Sequence, residues 1–268
     1  MSKKLITACM ALVALAAFAL PAAASATSPV VTHPTGTVLN PETGECTSVK
    51  KTICIKGTNV GKTKLLTDPA EGTSPLPLSE CSTSTITGYL EKNTGGVIEA
   101  TIHTATFEGT GGVITGGTMH ECTGLNGIGE MTPTTNGGGT DGESIANGTP
   151  WCLKSGASDT FTIRGGACTA ESRKITFILD ATKISHPTEF NECKYERATA
   201  VEGTFQTDTE AGKDAVLSVK PGSTTAERAK TTFTGETGNS IECPARGTLE
   251  MSFTLETDTA TAEPIYIS

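Results

Sequence analysis

From Thr248 to Glu256 apolar and polar residues alternate without a break. Leu249, Met251, Phe253 and Leu255 fall on one face, and Thr248, Glu250, Ser252, Thr254 and Glu256 on the other. A period of two predicts a strand with one buried and one wet face. The same alternation places Ile98, Ala100 and Ile102 against Glu99, Thr101 and His103. It predicts a strand over 96–107, joined as a hairpin to 81–90 through Glu91-Lys92-Asn93-Thr94-Gly95. Shorter strands are expected at Phe161–Arg164, at Ile175-Phe177-Leu179 beyond the break at Gly165-Gly166, around 193–207, at 215–219 and at 231–234. Ser48–Gly57 and Lys62–Thr67 read as a small hairpin turning through Gly57-Thr58-Asn59-Val60-Gly61. No stretch beyond the first residues carries a helical period.

Landmarks recur in the same order in the two halves. Cys81, Thr87-Gly88, Phe107-Glu108-Gly109, Cys122 and Glu130-Met131 are answered by Cys193, Glu202-Gly203, Phe233-Thr234-Gly235, Cys243 and Glu250-Met251. Many short strands with turn signals between them point to sandwiches. The expected fold is therefore all-β, two similar antiparallel β-sandwich units stapled by disulfides, one over 46–148 and the other over 149–268.

The N-terminus changes the compartment. Lys3 and Lys4, the apolar run Leu5–Leu20 and the small residues ending in Ala24-Ser25-Ala26 have the layout of an export signal over 1–26, cut near Ala26. Residues 27–45, rich in proline and without an apolar period, read as a flexible lead-in. Cys9 leaves with the signal, and eight cysteines remain: Cys46, Cys54, Cys81, Cys122, Cys152, Cys168, Cys193 and Cys243. An even number in an exported chain implies disulfides, with about 105 pairings open to it. The simplest joins nearest neighbours.

Composition shows why staples help. Aromatic residues make up 4% of the chain, so each core side chain buries little area. Threonine is the commonest residue, about one in every five or six, which favours strands over helices. The formal charge is −9 at pH 7 and falls to −11 once Lys3 and Lys4 are removed. Nucleic acid and anionic lipid are poor partners for such a chain, and no later stretch is apolar enough to span a membrane.

Candidate chemistry is sparse. Gly57-Thr58-Asn59-Val60-Gly61-Lys62-Thr63 has one residue too few for a phosphate-binding loop and lies between strands. His33, His103, His120 and His186 form no ligand pair in sequence, although His120-Glu121-Cys122 could supply a metal corner. Asn136–Glu143 has the oxygen donors of a calcium loop without its spacing. Trp151, beside Cys152, reads as core packing before a sugar platform. No nucleophile elbow is present. The expectation is no catalytic residue, no cofactor and no metal.

Thr58-Asn59-Val60-Gly61, the Cys81 strand with Thr87-Gly88, Pro150-Trp151-Cys152, Arg164-Gly165-Gly166 before Cys168, Glu192-Cys193-Lys194-Tyr195-Glu196-Arg197 and Met251–Asp258 together resemble exported proteins of uncharacterised function from soil actinobacteria. The Cys strand with Thr-Gly and the later Pro-Trp is similar, more loosely, to bacterial secreted proteins tied to alkane oxidation and biofilm. The resemblance implies export and a β fold, and brings no catalytic residue with it. A secreted or cell-surface, non-catalytic binding or matrix protein is the expected function. A carbohydrate- or ligand-binding module, with a cell-surface or polysaccharide partner, is the first alternative and a secreted hydrolase the second.

Overall fold

The computed structural model describes residues 29–32, 35–44, 46, 52–68, 75–108, 113–114, 117–118, 122, 128–134, 149–156, 159–183, 186–206, 214–235, 243–259 and 261–267. The strands in chain order are β1 (Val31–Thr32), β2 (Ile53–Asn59), β3 (Thr63–Thr67), β4 (Pro77–Cys81), β5 (Thr83–Thr94), β6 (Val97–Glu108), β7 (Val113–Ile114), β8 (Gly117–Thr118) and β9 (Ile128–Thr134). They continue with β10 (Trp151–Ser155), β11 (Thr160–Gly165), β12 (Ile175–Lys183), β13 (His186–Arg197), β14 (Val201–Gln206), β15 (Val216–Val219), β16 (Thr232–Gly235), β17 (Arg246–Thr257) and β18 (Tyr266–Ile267). One helical turn, α1 (Thr225–Arg228), is closed by a capping box between Thr224 and Glu227.

The stretch with the longest alternation is the axis of the molecule. The C-terminal part of β17 pairs with β2 on one side and β15 on the other, and its N-terminal part pairs with β3 and β16. Around the C-terminal part, β2, β5, β6, β10, β11, β14, β15 and β17 form a closed, wholly antiparallel barrel of eight strands in chain order. At one end of this barrel the strands are joined directly, for instance through Gly95-Gly96, where both residues have positive φ. At the other end every connection is an excursion: β3–β4, β7–β9, β12–β13 and β16. These excursions assemble on the N-terminal part of β17 into a capping sheet of order β4-β3-β17-β16-β13-β12-β9. Strand β9 comes back within contact distance of β4 and β6, so the cap curls on itself.

The expected pair of sandwich units is therefore not what the chain builds. Residues on both sides of 148/149 supply strands to one barrel, and a second sheet continues from its end. Alternation says which face of a strand is buried, and a sandwich and a barrel bury the same face. The predicted hairpin at Gly57–Gly61 is also corrected. Strands β2 and β3 do not pair with each other but lie end to end along β17, while β4 and β5 lie end to end along β3 and β2. Gly61, with φ of 76°, turns the chain at the crossing instead of reversing it.

Side chains hold these crossings together. Asn59 Nδ2 donates to the carbonyls of Gly61 and of Ser82 (2.9 Å), and its Oδ1 accepts from the Ser84 amide at 2.9 Å. Arg164 donates to the carbonyls of Gly165, Ala167, Cys168 and Ala170 at 3.1–3.3 Å, fixing the passage from β11 to β12. Arg197 donates to the carbonyls of Ala200, Ala229 and Thr232, fixing the passage from β13 to β14. Burial pulls the Arg197 guanidinium below its usual pKa, opposed by the charge of Glu202.

One apolar core runs through barrel and cap. Trp151 and Phe107 each meet Phe177 edge to face, at 6.3 and 6.0 Å, and Phe177 meets Phe233 at 5.1 Å. Trp151 is 1% exposed and belongs to this packing. The disulfides are Cys46–Cys54, Cys81–Cys122, Cys152–Cys168 and Cys193–Cys243. By loop-closure entropy the two longest, spanning 41 and 50 residues, stabilise by about 4 kcal/mol apiece.

The segment expected to be a flexible lead-in is tied down where it is described. Val31 pairs with Ile267 in a small β1–β18 ribbon, and Val31 and Leu39 are buried. The buried Asn93 holds both, donating to the carbonyls of Val31 and Leu39 at 2.7 Å and accepting from the Val31 amide at 2.9 Å. These two apolar residues are too few to set a period, which is why the sequence pattern passes over them.

Candidate functional site

The lumen of the barrel is filled by side chains and leaves no room for a ligand. Ile86, Ile102, Leu217, Phe253 and their neighbours leave internal voids of about 10 and 30 Å3, lined wholly by apolar side chains. Eight strands enclose a space that side chains can close, and the β1–β18 ribbon with Ile265 seals the end away from the cap. Outside, the same strands present Thr, Lys and Glu. This is the opposite of the apolar belt of a membrane-spanning barrel. Among the described residues no helix is long and apolar enough to cross a membrane.

A larger space, about 530 Å3, opens on the surface beside the sealed end. One wall is Thr37 to Asn40 with Thr43 and Gly44, the floor is Ile53 and Cys54, and the other wall is Thr257, Thr259, Thr261 and Glu263. Each wall is shaped by local hydrogen bonding. Asn40 Oδ1 accepts from the Glu42 amide at 3.0 Å and starts a 3-10 turn over Pro41–Thr43. The Cys46–Cys54 bridge joins that wall to β2. Opposite, the Thr257 amide donates to Glu263 O at 2.8 Å and Thr257 Oγ1 accepts from the Glu263 amide at 3.0 Å, folding the chain back after β17.

The same bonds decide what the groove can offer. Thr43 Oγ1 donates to Asn40 O at 3.1 Å, and Thr259 Oγ1 donates to Thr261 O at 2.7 Å. Their protons are committed to the protein, which leaves oxygen lone pairs for a guest. With the Glu263 carboxylate the groove is rich in acceptors, and its volume is that of a small-molecule site. It draws on three separated stretches, none of which carries a recognisable motif.

Of the residues singled out in the sequence, only Cys54 lines this groove among the described residues. His103 lies on the outer barrel wall, stacked flat on Tyr89 with ring centroids 4.7 Å apart. His186 opens β13, while His33, His120 and the glycine-rich segment Asn136–Glu143 lie outside the described residues. Among the described residues no group of three or more His, Cys, Asp or Glu side chains could hold a metal ion. The phosphate-loop look-alike is the β2–β3 crossing. Threonines line up across the outer barrel wall, Thr254 beside Thr58, Thr58 beside Thr85 and Thr85 beside Thr106, where Thr85 and Thr106 bond each other. No protein-family profile, curated protein or solved structure matches this chain.

Proposed function

We propose that this is an exported, non-catalytic β protein that binds a hydroxyl-rich ligand, such as a segment of cell-surface polysaccharide, in the groove between its N- and C-terminal segments. The observation that carries the reading is the lining of that groove. It sets acceptor oxygens of threonine and glutamate around a volume suited to a small polar guest whose own hydroxyls donate. Four disulfides are compatible with life outside the cell, and the layout of residues 1–26 supports export.

Retention of the secreted protein on insoluble cell wall and purified polysaccharides, followed by titration with oligosaccharides released from whatever retains it, tests the proposal. Thr261→Val and Glu263→Gln each remove acceptor capacity from the groove without touching the core, and about a tenfold loss of affinity is expected from either. Affinity unchanged from wild type in both variants, or no retention on any polysaccharide, overturns it.

A further inference from the structure

The inward face of the cap carries a chemistry unlike that of the barrel lumen. Thr63 stands opposite Cys81 and Ser79 opposite Leu65 on the β3–β4 pair. All four residues are buried, while Lys64 and Glu80 between them point outward and pair at 3.4 Å. Across the cap, Tyr195 stands opposite Phe177 on the β12–β13 pair, both 0% exposed. Where the cap meets the barrel, Ser84 is buried opposite Phe107, whose ring edge meets Phe177. Inward positions that the alternation would fill with Val, Ala or Phe are thus filled by Thr, Ser and Tyr.

Among the described residues none of these four hydroxyls has a hydrogen-bond partner: Thr63 Oγ1, Ser79 Oγ, Ser84 Oγ and the Tyr195 phenol are all inaccessible and unpaired. A buried hydroxyl gains nothing over the isosteric methyl or hydrogen unless something bonds to it. We propose that the interior of the cap is a binding site for a neutral hydroxylic guest, water or a small polyol, held by Thr63, Ser79, Ser84 and Tyr195. No charged side chain among the described residues shares these inward positions, so an ion has no counter-charge there. Burial pushes the Tyr195 phenol up to about 12, so it remains a proton donor at any physiological pH. The hydroxyls of Thr63, Ser79 and Ser84 can donate or accept, which suits a guest that does both. The site is separate from the surface groove and stands whether or not the groove binds saccharide.

The test turns on a sign. Thr63→Val, Ser79→Ala, Ser84→Ala and Tyr195→Phe each delete one hydroxyl with little change of shape. If the hydroxyls hold a guest, each variant loses a bond to it and melts about 2–4 °C below wild type. If they are truly unpaired, each variant melts at or above wild type, and the proposal is wrong. A measurement on the unaltered protein covers a variant that does not fold. Water-proton relaxation dispersion, with glycerol absent and then added, detects a long-lived buried guest, and its absence in both conditions also overturns the proposal. Glycerol that raises the melting temperature of wild type more than that of Tyr195→Phe identifies a polyol; an equal response, with the variants destabilised, identifies water.

Discussion

Tyr195 shows how one side chain couples interior chemistry to stability. It is 0% exposed, and desolvation raises its phenol from 10.0 to about 12. Below pH 10 the folded and unfolded chains both hold the phenolic proton, and the shift has no effect on stability. Between about pH 10 and 12 the unfolded chain releases that proton while the folded chain keeps it, so the unfolded state gains. Two pH units of lag correspond to about 3 kcal/mol lost by pH 12. Other groups titrate in the same range, so the informative quantity is a difference. Denaturant unfolding of wild type and Tyr195→Phe from pH 8 to 12 is expected to show a gap that changes by about 3 kcal/mol across that window, and a constant gap would place the phenol in contact with solvent. Arg197 makes the complementary point. Among the described residues no carboxylate bonds it; its charge is spread over the carbonyls of Ala200, Ala229 and Thr232, a role that the planar fork of arginine can fill and lysine cannot.

At the scale of elements, glycine decides how closely strands can approach. The pairing of β5 with β6 slips between Thr87 and Gly88: Thr87 faces Thr104, Gly88 faces Ile102, and His103 is left over as a bulge. A Cβ on Gly88 would strike the Thr101 carbonyl oxygen and come within 2.9 Å of Ile102 Cα, both backbone atoms of the partner strand. Gly88→Ala must therefore open the barrel wall locally, and a loss of about 2–4 kcal/mol in denaturant unfolding is expected. Gly95→Ala, where a Cβ meets nothing within 4 Å and only the φ of 62° resists, is the milder control at about 1 kcal/mol. Equal effects would mean that the bulge yields easily. These elements also mark what a sequence can disclose. The alternation of β17 and the β5–β6 hairpin are legible because burial on one face writes a period of two. The end-to-end placement of β2 and β3 is not, since a turn signal such as Gly57–Gly61 looks alike whether the chain reverses or only bends. The surface groove escapes for a related reason: Asn40, Cys54 and Thr259 meet through tertiary folding alone, and each is unremarkable where it stands in the chain. The cap hydroxyls are hidden because Thr63 and Ser79, inward in space, occupy positions where serine and threonine ordinarily mean a wet face.

Considered whole, the molecule is built from two runs of strands that need each other. Strands β2 to β10 supply four staves of the barrel and β11 to β17 the other four, with excursions in matching places. Cys81 on β4 is bridged to Cys122 ahead of β9, and Cys193 on β13 to Cys243 ahead of β17, in keeping with the recurrence of landmarks along the sequence. Neither run can close alone. The first would expose the free edges of β2 and β10, the second those of β11 and β17, each with an apolar inner face open to water. Only β10–β11 and β2–β17 pairing across the two runs removes those edges. The turn between Gly156 and Thr160 is the one place where the chain passes directly from one run to the other, and the Cys152–Cys168 bridge spans it. A protease site placed in that turn should therefore be cleavable without loss of the fold. The nicked, oxidised protein is expected to keep its far-ultraviolet circular dichroism and to melt within a few degrees of the intact chain, because the bridge keeps the runs at high effective concentration. The two runs expressed separately, with Cys152 and Cys168 replaced by alanine, are expected to aggregate or remain unfolded until mixed. A stable, monomeric, β-rich product from either run alone would show that the barrel is two independent sheets in contact, and the closed topology would have to be abandoned.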